Sequence, residues 1–118
     1  MNNYTVLFYI TRRGESPVDQ FLDSLGEKDR AKIESYILIL QEKGHTLLRP
    51  YADYVRGKIY ESRPGRFRIF YSFFFKNHIL LLHAIKKKSF RLNPKDIEQA
   101  ERNLTDYVMR YQGGEIPL

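Results

Sequence analysis

Arg63, Arg68, Lys86 and Lys87 are the residues of this chain whose types and spacing best suit chemistry on a phosphodiester. They lie in a segment of concentrated charge. Between Arg56 and Arg91 there are ten Lys or Arg and one acid, Glu61, for a net charge of +9; the other ten bases and thirteen acids leave the rest of the chain at −3. Charge segregated in this way is the electrostatic footprint of a polyanion partner, nucleic acid first, because fixed cations release the counterions of the phosphates they contact. One reaction suits such a cluster in particular: attack by an RNA's own 2′-OH on the adjacent phosphate. That route needs no metal; it needs cations for the phosphorane charge, a proton acceptor and a proton donor. Lys58, Arg66, Lys88 and Arg91 extend the basic surface, and Tyr60 and Tyr71 are candidates to stack a base.

Each of these residues also has a plainer reading. A basic segment is commonly a solvated face. Arg68, between Phe67 and Ile69, could pair with Glu61 and satisfy a buried carboxylate. Tyr60 and Tyr71 are residues of the kind that fill cores, and Lys86-Lys87-Lys88 could guard an edge strand against aggregation. His83, within Leu81-Leu82-His83-Ala84-Ile85, reads as a hydrogen-bonded core residue and, as a titrating group, as a minor acid–base candidate. His45 and His78 follow Gly44 and Asn77 in turns, where surface placement is expected.

Other chemistries find no support. The chain has no Cys, which excludes a disulfide framework, a Cys-based zinc site and a thiol nucleophile, and fits a reducing cytoplasm. The three histidines show no ligand spacing and no pair of carboxylates lies near the basic segment, so no metal site is expected. With no Gly-rich phosphate loop, no G-x-S-x-G elbow and no dinucleotide fingerprint, no cofactor is expected either. Apolar runs such as Ile79-Leu80-Leu81-Leu82 fall far short of the ~18 residues of a spanning helix, so no membrane partner is expected. Met1-Asn2-Asn3-Tyr4 carries no readable leader. A length of 118 residues with 42% hydrophobic and 29% charged side chains predicts one compact domain over 1–118.

The elements that must position these groups are read from period and punctuation. Tyr4 to Ile10 is β-branched and aromatic almost throughout and predicts a buried strand. Ser16-Pro17-Val18-Asp19 is a helix start, and Val18, Phe21, Leu22 and Leu25 continue it to a stop at Gly26. A second helix is predicted from about Asp29 to Lys43, with Ile33, Tyr36, Ile37 and Leu40 on its apolar face. Strands follow over Lys58–Ser62, Phe67–Phe74 and Ile79–Ile85, with Pro64-Gly65 and Lys76-Asn77 in the turns. A last helix starts at Asn93-Pro94, carries Ile97, Ala100, Leu104, Val108 and Tyr111 on one side, and ends before Gly113-Gly114. The order β-α-α-β-β-β-α, grouped rather than alternating, predicts an α+β domain with an antiparallel twisted sheet. Strands pairing in sequence order place Arg68 centrally, with Arg63 on one neighbour and Lys86-Lys87 at the end of the other.

Three segments in this order then resemble a known family. Gly57-Lys58-Ile59-Tyr60-Glu61-Ser62-Arg63, Arg66-Phe67-Arg68-Ile69-Phe70-Tyr71 and Leu81-Leu82-His83-Ala84-Ile85-Lys86-Lys87-Lys88, followed by Asn93-Pro94 and Ala100, are similar to the phage-derived killer-protein branch of the RelE/HigB toxin superfamily. The resemblance implies a RelE-like fold and the toxin of a type II toxin–antitoxin system, an mRNA endoribonuclease (mRNA interferase) that usually cuts in the ribosomal A site. It implies as partners mRNA, the ribosome and a cognate antitoxin, in this branch often a helix-turn-helix repressor, with operator DNA reached through the antitoxin alone. Arg68 matches the central-strand Arg on the scissile phosphate, Arg63 the basic position ending the preceding strand, and Lys86 and Lys87 the basic pair after the last strand. Two positions depart from the pattern. Glu61 stands where the RelE branch has Lys, and the C-terminal catalytic Tyr of that branch has no counterpart near Asn93-Pro94. The general base stays open among Glu61, His83 and a deprotonated Lys. A second reading also stands: a non-catalytic RelE-fold protein that binds an antitoxin and acts as co-repressor.

Overall fold

In the computed structural model, which describes residues 3–117, the elements follow as β1 (Thr5–Phe8), α1 (Pro17–Asp23), α2 (Glu27–Lys43), a short 3-10 turn (Gly44–Thr46), β2 (Ala52–Arg56), β3 (Ile59–Ser62), β4 (Phe67–Phe74), β5 (His78–Lys86) and α3 (Pro94–Gln112). The leader reading rests partly on Met1 and Asn2, which lie outside the described residues. No helix among the described residues is long and apolar enough to cross a membrane.

Local chemistry starts the helices where expected. Ser16 is extended and its Oγ accepts from the Asp19 amide at 3.2 Å, while Pro17 takes the first helical position, where no N–H is missed. At the other end of the chain the Asn93 side chain accepts from the Lys95 amide at 2.9 Å ahead of Pro94. One boundary differs. α1 stops at Asp23, and Gly26, expected as its stop, instead precedes the first residue of α2, Glu27. The Ser24 hydroxyl donates back to the Phe21 carbonyl at 2.6 Å and closes the last turn early.

The α+β class holds, and the sheet carries two features beyond the expectation. It has five strands in the order β1-β5-β4-β3-β2, and β1 pairs with β5 in parallel while every other pair is antiparallel. The sheet is therefore mixed. The helical hairpin carries the chain from β1 across one face to the far edge, and three successive antiparallel steps bring β5 back beside β1 in the same direction. The extra strand is β2, an edge strand of sequence Ala-Asp-Tyr-Val-Arg whose charges mask any strand pattern.

β4 is central and covered on both faces. Phe67, Ile69, Tyr71 and Phe73 pack towards Val18 and Leu22 of α1 and Ile33 and Leu40 of α2. Phe70 and Phe74 pack on the other side against Ala100 and Tyr107 of α3. A bulge interrupts the β4–β5 pairing: Phe70 faces His83 and Tyr71 faces Leu81, so Leu82 has no partner in the ladder. The Asn103 amide of α3 donates to the Leu82 carbonyl at 2.8 Å and satisfies it. α3 is further tied to the residues after β1, where the Tyr9 hydroxyl donates to Asp106 at 2.7 Å and Arg110 donates to the Ile10 carbonyl.

Candidate functional site

Antiparallel pairing brings the end of β3, the start of β4 and the end of β5 to one end of the sheet. Arg63 follows β3, Arg68 is the second residue of β4, and Lys87 follows β5. Together with Arg49, Gly65, Arg66, Lys88, Ser89 and Phe90 they line a cleft of about 550 Å³. No carboxylate lines it among the described residues. The Lys87 amide donates to the Arg66 carbonyl at 2.7 Å, which stitches the far wall to the β3–β4 turn.

Arg68 forms the floor. It is 6% exposed, its Nη1 donates to the carbonyls of Gly65 at 2.8 Å and Phe67 at 2.7 Å, and Nη2 has no hydrogen-bond partner among the described residues. Beneath it lies Glu61, 4% exposed. Glu61 Oε2 accepts from Arg63 Nη1 at 2.5 Å, and its Oε1 stands 3.7 Å from Arg68 Nε, too far for a hydrogen bond. Both of those facing atoms are buried without a hydrogen-bond partner. Burial lowers the Arg68 pKa below the usual guanidinium value, Arg63 and Arg49 add repulsion, and Glu61 opposes them. Two guanidiniums share one carboxylate here, so the cleft carries uncompensated positive charge that an incoming phosphate would relieve.

The rim is ordered by a second carboxylate. Asp53, opposite Glu61 in the β2–β3 ladder, accepts from Arg49 at 2.8 Å. That bond, with the Tyr54 amide and the charges of Arg49 and Arg63, holds the Asp53 carboxyl below its ordinary value of 3.8 despite some opposing desolvation. A carboxylate with a depressed folded-state pKa contributes stability that is present above its unfolded pKa and is lost as pH falls through the folded value. Thermal unfolding of wild type and Asp53→Asn is thus expected to differ at pH 7 and to converge as the pH drops below 3.8. A gap that stays constant into acid would show that the bond to Arg49 contributes nothing through ionisation.

The structure separates the sequence-derived site residues into two sets. Arg63, Arg66, Arg68, Lys87 and Lys88 meet in the cleft. Lys86 does not. It is in register with Phe67 and lines the two neighbouring grooves, one with Asp29 and Lys32 under the helical hairpin and one with Lys87, Lys88 and Arg91. Arg91 lines the adjoining groove with Asp96, and Lys58 stands in the β2–β3 turn, at the opposite end of β3. Tyr71 is corrected as a base platform: it is 1% exposed in the core under the helical hairpin, where burial raises its phenol pKa. Tyr60, half-buried, stacks on Tyr71 at 5.6 Å between ring centres and packs on the same core. Glu61 lies under the cations rather than on the cleft wall. His83 is on the α3 face, its ring stacked on Phe70 and its Nε2 2.9 Å from Asp96 Oδ1, away from the cleft lining.

Besides Ser89, two cleft residues went unread in the sequence. Arg49 lies before the strand that charge concealed and outside the +9 segment. Phe90 is the other, and Lys88-Ser89-Phe90-Arg91 did hold a usable signal, an aromatic ring set among cations. Among the described residues, no three His, Asp or Glu side chains group as metal ligands would.

Fold and site together define a small α+β domain with a cationic cleft at one end of a mixed five-stranded sheet. Residues 20–105 match the family described as phage-derived protein Gp49-like (DUF891), and the chain belongs to that family. It is a toxin-like family. The matched span contains every residue that lines the cleft. A comparison with curated proteins finds no match to this chain.

Proposed function

We propose that this protein is the toxin of a type II toxin–antitoxin system of the RelE/HigB kind, a metal-independent endoribonuclease acting on ribosome-bound message in the cytoplasm. One observation carries the reading: Arg63, Arg68 and Lys87, from three adjacent strand ends, converge on a cleft lined by no carboxylate among the described residues. The 2′-OH of a bound nucleotide attacks its own 3′-phosphate, the P–O5′ bond breaks, and the products are a 2′,3′-cyclic phosphate and a 5′-OH. Arg68 and Arg63 stabilise the charge that grows on the non-bridging oxygens. Proton transfer falls to Lys87 or Lys88, since these line the cleft and guanidiniums hold their protons. The cognate antitoxin, a helix-turn-helix protein with an acidic or amphipathic segment, covers the same cations, so the encounter weakens with salt.

A second reading, an antitoxin-binding co-repressor without catalysis, is favoured by one feature. Glu61 offsets part of the charge of Arg63 and Arg68 from below, at the position where the RelE branch carries Lys. The two separate in a translating extract containing a chelator of unbound divalent metal beyond what ribosomes need. The wild-type protein is expected to cleave message there and to arrest growth in cells. Lys87→Ala should weaken cleavage on the order of tenfold or more, as loss of a charged hydrogen bond does, whereas Lys76→Ala, in the β4–β5 turn at the far end of those strands, should change it little. Intact message and normal growth, with antitoxin binding to operator DNA strengthened by this chain, would give the co-repressor reading precedence.

A further inference from the structure

Phe90 is the most exposed large apolar side chain of the described residues, at 99%. It lies on the rim of the cleft beside Lys88 and Ser89, and its ring meets no other aromatic ring among those residues. The loop that carries it is locally ordered, with the Ser89 hydroxyl donating to the Arg91 carbonyl at 2.9 Å. We infer that Phe90 is a stacking platform for one unpaired base of a single-stranded RNA whose phosphates occupy the cationic cleft. The inference rests on the ribonuclease reading of that cleft and adds what the cations cannot supply, a preference for strands with free base faces. Cations read phosphate in any strand, paired or not. A ring standing in solvent next to them offers a π-face that every base can cover, and bases locked in a duplex cannot reach it. Tyr60 and Tyr71 leave this role unfilled, because both pack in the core on the helical-hairpin side of the sheet.

The test is equilibrium binding of a fluorescent single-stranded 2′-O-methyl oligoribonucleotide, which resists cleavage through the 2′-oxygen. Parallel arms use the same strand with abasic residues and the strand annealed to its complement. Phe90→Ala is expected to bind the base-bearing single strand about tenfold or more weakly, the usual loss for one stacked base. It should bind the abasic strand as wild type does, and Phe90→Trp should restore the difference. Met109→Ala, an exposed apolar change on α3 away from the cleft, should alter none of these affinities. The inference is overturned if Phe90→Ala binds the base-bearing strand as tightly as wild type, or loses affinity equally for abasic and base-bearing strands. Wild-type protein that binds no strand at all would overturn the nucleic-acid reading of the cleft and this inference with it, whereas binding to the abasic strand as tight as to the intact one overturns the stacking role alone.

Discussion

Arg68→Ala is expected to lower the rate of message cleavage by about 10²–10³, the usual loss when one preorganised donor to a developing oxyanion is removed. RNA affinity should fall much less, since Arg49, Arg63, Arg66, Lys87 and Lys88 still line the cleft and would remain to attract phosphate. The asymmetry follows from geometry. Arg68 is held from two sides, by the Gly65 and Phe67 carbonyls, with Nη2 left over, so its position is fixed before substrate arrives. Arg68→Lys should rescue poorly. An ammonium on a flexible stem cannot bond both carbonyls and still hold a second nitrogen towards phosphate as Nη2 does. The measurement is cleavage at saturating and limiting RNA, with circular dichroism to establish folding. Folded Arg68→Ala that cleaves at the wild-type rate would remove Arg68 from the chemistry.

Glu61 should show the largest effect on stability. Glu61→Ala leaves Arg63 and Arg68 facing each other without their shared carboxylate, and breaking a buried pair by deleting one partner costs about 3–5 kcal/mol. For a domain of ordinary stability, about 5–15 kcal/mol, that is a large fraction. Glu61→Gln keeps the volume and an oxygen for Arg63, so it should unfold at a denaturant concentration between wild type and Glu61→Ala. The pair of variants also distinguishes two roles. A residue that positions Arg63 and Arg68 should give Glu61→Gln with partial activity and a pH–rate profile of unchanged shape. A general base should give Glu61→Gln with cleavage abolished at every pH while the protein stays folded. The burial of Glu61 beneath the cations favours the first outcome.

The amino-acid sequence by itself determined the α+β class, both strong helix starts, the central place of β4 and the polarity of the cleft. These depend on local physics: Ser16 and Pro17 cap α1 whatever surrounds them, and ten bases against one acid must make a positive surface wherever that segment lies. The apolar runs of β4 and β5 were legible because both faces of those strands are buried. Tertiary structure alone decided which neighbours share a side. Lys86 and Lys87 are alike in type, yet Lys86, set opposite Phe67 by the register, lines only the neighbouring grooves while Lys87 lines the cleft itself. In a period-2 structure one residue reverses the face, and composition carries no information on that parity. Tertiary packing also buried Tyr71, turned inward under α1 and α2, and left Phe90 on the rim of the cleft. β2 pairs with the neighbouring β3 and was hidden by its charges, whereas the parallel pairing of β1 with β5 and the Asn103 bond that answers the Leu82 bulge arise from contacts between residues distant in the chain. Their free energy comes from closing the sheet and filling its hydrogen bonds, which no local window of sequence contains.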